Sequence, residues 1–365
     1  IIPDGFDQAI RASLYQPMDA RINDRVWIRG VIAPPENFEN FDYVGYLQRH
    51  NVFAVLKKPK VIVLKHEPCW WQKPIEGFRA VIFNRSEAVF SEQSRGLILG
   101  MLIGDRQFII PDVAESFKVV GMTHIVAVSG YNMTIIAAAC AGFAWYMGRR
   151  LSGLSTIVVV LTFAMIAGGA ASVVRAAIMA LLVVAAQLCG RLYTSMYALI
   201  WAAGIMVLQN PRIVLWDVGF QLSVAATLGV LYAYKLRSAD ESTTYLSESL
   251  RPTLGAIIAT APLIAYHFQT ISLISPLANV LLLPLVPWIM LLGTLSLIPV
   301  VGVNIGFAAS IITHLMINIV TRLAAIPFGS TPFSISAFVL IIFYLCTIGI
   351  IQIILRRRKG VVHGE

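Results

Sequence analysis

Charge is scarce in this 365-residue chain: 13% of its residues are Asp, Glu, Lys or Arg. Ordinary soluble domains carry about 25%. With 58% hydrophobic residues and a mean hydropathy of +0.76, the composition argues against a soluble globular enzyme. Cysteine is scarce too. Cys140, Cys189 and Cys346 sit in apolar runs, where the side chain acts as a small hydrophobe. Cys69 stands alone in the polar N-terminal region, so no disulfide forms within that region. No Cys/His cluster has zinc-ligand spacing. Walker, HExxH and Gly-rich phosphate-loop motifs are missing, so the chain is not expected to be its own ATPase, to hold a metal or cofactor, or to be an enzyme. No internal repeat or low-complexity tract stands out. The chain opens Ile1-Ile2, without Met or a signal-peptide pattern, which raises the expectation of membrane helices ahead of it.

The charges that exist are unevenly placed. Residues 1–122 hold 15 of the 28 Lys and Arg and 14 of the 19 Asp and Glu, so this head is nearly neutral. Most of the net charge of +9 therefore belongs to the apolar remainder, which ends in Arg356-Arg357-Arg358-Lys359. Such an excess suits nucleic acid or anionic lipid as a partner, or topogenic charge on cytoplasmic loops. Four regions are expected. Residues 1–90 form an extracytoplasmic β domain and 91–122 form interfacial or amphipathic helices. Residues 123–355 form a multi-pass α-helical membrane domain, and 356–365 a basic cytoplasmic tail.

In the head, residues 24–33 read as a strand, with Val26, Ile28 and Ile32 at period two and Pro34-Pro35 as the stop. Residues 52–56 and 60–65 read as a strand pair separated by Lys57-Lys58-Pro59. Residues 78–84 read as a further strand or the start of a helix. Several short strands in this span suit a small β-barrel such as an OB-fold. Residues 96–104 are apolar all round but reach only about 14 Å, short of a hydrocarbon core of about 30 Å. They predict a buried or interfacial helix. Residues 112–120 are amphipathic.

From Thr123 onward about nine apolar segments follow, at roughly 124–147, 155–170, 172–190, 195–209, 214–235, 252–269, 272–297, 301–325 and 334–355. The division of 271–325 is open, a re-entrant helix included. With nine crossings and a cytoplasmic Arg356–Lys359, Arg149, Arg150, Arg191, Lys235, Arg237 and Arg251 share the cytoplasmic side. The head then lies outside.

Ionisable groups in the apolar region are functional candidates because burying them in lipid is costly. They are His124, Arg175, Asp217, His267 and His314. The competing reading places them at segment ends, where polar side chains are cheap. Ser129 and Asn132 share a helix face, Asp217 and Gln221 share another, and Gly130 permits a helix break. Asp217 is also a possible ion-pair partner for Arg175. Ser129 with His124 or His267 would suit an intramembrane hydrolase, although His124 lies about 140° from Ser129 on a regular helix.

Several of these residues fall in a series of motifs. Gly104-Asp105-Arg106 is followed by Gly121-Met122-Thr123-His124-Ile125-Val126-Ala127-Val128-Ser129-Gly130. Then come Ser172-Val173-Val174-Arg175-Ala176-Ala177-Ile178-Met179 and Asp217-Val218-Gly219-Phe220-Gln221-Leu222-Ser223. Tyr266-His267-Phe268 and Asn279-Val280-Leu281-Leu282-Leu283-Pro284-Leu285 complete the set. In the head, Phe41-Asp42-Tyr43 with Tyr46-Leu47 is similar to an external OB-like domain. The series resembles the ComEC-type competence proteins, from about residue 20 to 325. The resemblance implies a channel that admits one strand of transforming DNA through the cytoplasmic membrane. It implies a DNA receptor outside, a separate ATPase motor inside and a separate nuclease. It carries His124, Ser129, Arg175, Asp217, Gln221, His267 and Asn279 over as motif positions without assigning each a role. Asn132 stands where the family often has His. The family's usual leading helices and its metallo-β-lactamase-like domain have no counterpart in this sequence, which lacks an HxHxD cluster.

Passage of single-stranded DNA calls for basic and aromatic contacts that ignore sequence. Arg25, Trp27, Arg29, Lys57, Lys58, Lys60, Trp70 and Trp71 are the candidates in the head; buried tryptophans in a solvated β domain are the alternative. Ser129, Asn132, Gln221 and Asn279 are candidate path-lining residues. Two other functions are open: a small-solute transporter, and the hydrolase built on Ser129.

Overall fold

The computed structural model describes residues 9–12, 25–37, 43–48, 52–65, 72–126, 128–142, 144–168, 171–190, 194–236, 245–299, 302–327 and 329–362. They form two compact units, residues 1–81 with 205–218, and residues 82–204 with 219–365.

The first unit is built on a three-stranded sheet. Strand β1 (Ala9–Ala12) is followed by β2 (Arg25–Ala33), helix α1 (Tyr43–Gln48) and β3 (Val52–Lys65). The order is β1-β3-β2, with β1 parallel and β2 antiparallel to β3. The expected strand at 24–33 is present. The expected barrel is not shown: among the described residues the head holds these three strands. Residues 52–65 are one strand rather than two, because the register shifts between Arg29 and Val31 and leaves Lys58 and Pro59 in a bulge. A proline is tolerated there, where the ladder is already broken. Residues 78–84 are helical, within α2 (Gln72–Val89). Ile82, Ser86 and Phe90 are buried at four-residue steps, so a helical period outweighs the strand-like composition.

The second unit is organised around α3 (Glu92–Ile103). It is buried continuously from Gly96 to Ile103, which explains why it is apolar on every side and too short to span. A β-carbon at Gly96 would fall on the Phe108 carbonyl, and one at Gly100 would lie 2.5 Å from the Val126 carbonyl. Helix α4 (Pro111–Val119) starts on a proline and ends in a Schellman turn. There Met122 N–H donates to the Phe117 carbonyl at 2.8 Å and Gly121 N–H to the Lys118 carbonyl at 3.0 Å. Gly121 has φ 75°, a conformation that costs other residues about 1–2 kcal/mol. Phe117 and Met122 close the turn, both fully buried.

The first apolar segment is interrupted. Short α5 (Thr123–Val126) is followed by a new helix, α6 (Gly130–Gly142), and then by α7 (Ala144–Ile166), which kinks at Gly148. Helix α8 (Ala171–Leu188) completes a three-helix cluster with α6 and α7. Its core is Val128, Met133, Val160, Phe163, Val173 and Ala177.

Helix α9 (Ser195–Gln209) runs as expected, but 214–235 is broken at Asp217 into α10 (Ile213–Trp216) and α11 (Val218–Lys235). Within the first unit, Trp216 covers Gly45 of α1 and Arg212 Nη1 donates to the Gln48 carbonyl at 2.7 Å. Helix α12 (Tyr245–Phe268) contains Pro252 and Pro262. It meets α11 where a β-carbon on Gly229 would fall on the Gly255 carbonyl, with Ala233 and Ala259 beside the contact. Small residues four apart on both helices permit this backbone approach.

Strand β4 (Thr270–Ser272) leads to α13 (Ser275–Leu282) and α14 (Leu285–Leu295), a pair bent by 43°. Helix α15 (Gly302–Ala324), strand β5 (Ser330–Pro332), antiparallel to β4, and helix α16 (Ala337–Val362) follow. Among the described residues three helices are long and apolar enough to cross a membrane, at 171–188, 302–324 and 337–354, or four if the bent pair counts as one. Of the roughly nine crossing segments expected, these are the described ones that are long and apolar enough by themselves. The apolar runs are helical, but breaks at 128–129, Gly148 and Asp217 divide several of them, and 150–166 and 195–209 remain short. The long apolar helices fit a membrane protein.

Candidate functional site

The break before α6 brings together Ser129, Asn132 and Arg175. Ser129 Oγ donates to Asn132 Oδ1 at 3.2 Å, as their spacing predicts. Asn132 is buried, and its Nδ2 donates to the Met101 carbonyl at 3.0 Å. Met101 lies in the last turn of α3, where helix carbonyls lack intrahelical donors. Asn132 therefore closes the end of one helix from the start of another. That places its amide in the fold's interior. A backbone partner leaves no side-chain signature, so nothing in the sequence points to the Met101 carbonyl.

Arg175, on α8, is also buried, at 7% exposure. Its Nε and Nη1 have no hydrogen-bond partner. Its Nη2 approaches Gly130 so closely that a β-carbon there would stand 3.2 Å away. His124 lies on α5 beside the Schellman turn.

His267, in the last turn of α12, and Gln221, on α11, are joined by a 2.7 Å bond between Nε2 and Oε1. Asn279 is buried on α13 and donates to the Ser275 carbonyl at 2.9 Å, with Ser275 Oγ at 3.3 Å. Ser275 carries no sequence signal of its own, yet its side chain also faces Gly121, whose β-carbon would lie 3.2 Å from it. The Gly-Met-Thr-His turn and Asn279 thus meet at Ser275. His314 approaches Ser91 Oγ at 3.4 Å. Ser129 and His267, offered as a nucleophile and its base, each bond to an amide side chain instead.

In the first unit, Asp217 immediately precedes α11 with an extended backbone, φ −99° and ψ 94°. This is the residue type and conformation of a helix N-cap. In the sheet, Trp27 stands opposite Ile62 and Arg29 opposite Lys60. Directly opposed residues two apart along each strand share one face, so these four lie together. Trp27 is 47% and Ile62 56% exposed. Lys57 is drawn to Glu36, 3.2 Å away. Arg25 and Lys58 are described only by their place in the strands, and Trp70 and Trp71 lie outside the described residues. Among the described residues no three of His, Cys, Asp and Glu gather as metal ligands.

Comparison with known proteins places these motifs in a family. The chain is similar to "ComE operon protein 3" of Bacillus subtilis (strain 168), 24% identical over 269 residues. It is similar to "Competence protein ComA" of Neisseria gonorrhoeae, 25% identical over 208 residues, and to an uncharacterized protein of Aquifex aeolicus, 29% identical over 213 residues. These alignments cover 73%, 53% and 58% of this chain, but 34%, 29% and 50% of the relatives. The chain thus spans half or less of the length of each of these relatives. No solved structure matches it. The sequence model described as "Competence protein" matches residues 101–359, which contain the interrupted helices and every polar group of the second unit discussed above except Ser86 and Ser91. The chain belongs to the Competence protein family.

Proposed function

We propose that this chain is the membrane component of a DNA-uptake machine, a channel that passes single-stranded transforming DNA across the cytoplasmic membrane during natural competence. Family membership over residues 101–359 carries this reading. The helix breaks at 128–129 and Asp217 support it, because irregular backbone among apolar helices normally lines a cavity or is buried in protein. By the positive-inside rule Arg356–Lys359 lies in the cytoplasm, and with the nine crossings read from the sequence the head lies outside. A DNA receptor outside, an ATPase motor inside and a separate nuclease complete the machine.

The sheet of the head supplies a matching surface. Arg29 and Lys60 are directly opposed, and like charges so placed repel. A polyanion relieves that repulsion, and Trp27 beside them offers a stacking face.

Labelled duplex DNA given to cells carrying Asp217→Ala tests the reading. Normal membrane level and surface binding with no internal DNA is the expected result. Unchanged uptake would favour a small-solute transporter instead.

A further inference from the structure

Arg175 is the charge this role leaves unexplained. It lies on α8 at 7% exposure, with Nε and Nη1 buried and lacking hydrogen-bond partners. An unpaired buried cation is strongly unfavourable unless an acceptor reaches it. What faces it is Gly130, the first residue of the 13-residue α6, whose β-carbon would stand 3.2 Å from Nη2 and 3.6 Å from the Ala176 β-carbon. A helix start carries partial positive charge and amides without intrahelical acceptors. The backbone ladder of α6 begins with Met133 N–H donating to the Ser129 carbonyl at 3.3 Å. The Ser129 hydroxyl, at the usual capping position, donates to Asn132 rather than accepting from an amide. Two positive features therefore adjoin at Gly130, with Nη2 so close that a β-carbon there would press on it. An anion there would offset both.

We propose that the Arg175 guanidinium and the start of α6 bind a phosphate of the nucleic-acid backbone, a contact that rests on the DNA-conducting reading above. A phosphodiester suits the site because a guanidinium and helix amides contact its oxygens without reading a base. A lipid headgroup suits it less. No residue of α8 from Ala171 to Val184 is exposed, so Arg175 is not presented on the outer surface of that helix.

The test uses the full chain in a phosphate-free maltoside detergent, with binding of oligothymidylate compared with an oligomer of equal length and a neutral methylphosphonate backbone. Arg175→Gln is expected to weaken phosphodiester binding about tenfold and to flatten its salt dependence by about 0.7 in log–log slope. Arg175→Lys keeps most of the affinity, and Gly130→Ala, which crowds Nη2, loses it. None of the three changes binding of the neutral oligomer. If Arg175→Gln unfolds the chain, the Lys and Ala variants decide alone. Equal losses for both backbones, or undiminished phosphodiester binding in Arg175→Gln and Gly130→Ala, overturns the inference while leaving the DNA-conducting reading intact. Loss of co-purifying phospholipid without loss of oligomer binding assigns the site to lipid and also overturns it. So does an exchange of Arg175 and Asp217 that restores binding lost in each single variant, since that marks an ion pair. Failure of the wild-type chain to bind either oligomer counts against the DNA-conducting reading itself.

Discussion

Asn132 donates to the Met101 carbonyl from a position that is 1% exposed. Removing that donor leaves a buried carbonyl unmet, at about 1–3 kcal/mol. Asn132→Ala should therefore lower the thermal unfolding midpoint of the detergent-solubilised chain. An unchanged midpoint would show that water replaces the amide. Two residue pairs are accessible from sequence to different degrees. Ser129 and Asn132 are expected to meet because three residues separate them on one helix, and they do. His267 and Gln221 both stand out as polar groups in apolar runs, but they lie 46 residues apart, and only tertiary packing brings them to 2.7 Å. Ser275 escapes notice because a serine before Pro276 looks like an ordinary helix start.

At the scale of elements, period and punctuation carry information unevenly. The short apolar run at 96–104 is readable as a non-spanning helix because length alone excludes a crossing, and α3 is buried. Lys57-Lys58-Pro59 reads as a strand end, whereas the mismatch is absorbed by a bulge within β3. Proline signals a broken ladder, and either outcome breaks it. The same register puts Arg29 opposite Lys60. Alanine at both should raise the dissociation constant for single-stranded DNA and reduce its salt slope. Lys57→Ala, already engaged with Glu36, should do neither to a similar degree. Equal effects from both changes would mean that the face has no special role in binding.

For the whole chain, charge asymmetry between the polar head and the apolar remainder points to the membrane class directly, because composition needs no geometry. The number of crossings is less accessible. Hydropathy windows join segments across Asp217 or Gly148, although the helical backbone is interrupted there. The basic cluster Arg356–Lys359 remains the strongest orientation signal, at about 1 kcal/mol per basic residue near an anionic surface. A green-fluorescent reporter placed after Lys359 should fluoresce, and a phosphatase reporter at the same place should be inactive. The reverse pattern would invert the proposed topology.

The contact between Gly229 and Gly255 has a mechanical consequence. Two rods that touch backbone to backbone at one place form the pivot of a pair of scissors. The His267–Gln221 bond ties the same two helices at one end of the blades. Gln221 lies eight residues from the pivot along α11, or about 12 Å at 1.5 Å per residue. At that radius a rotation of about 10° moves the tip by roughly 2 Å, enough to break a hydrogen bond. The glycines thus set the lever arm, and the imidazole–amide clasp resists its swing.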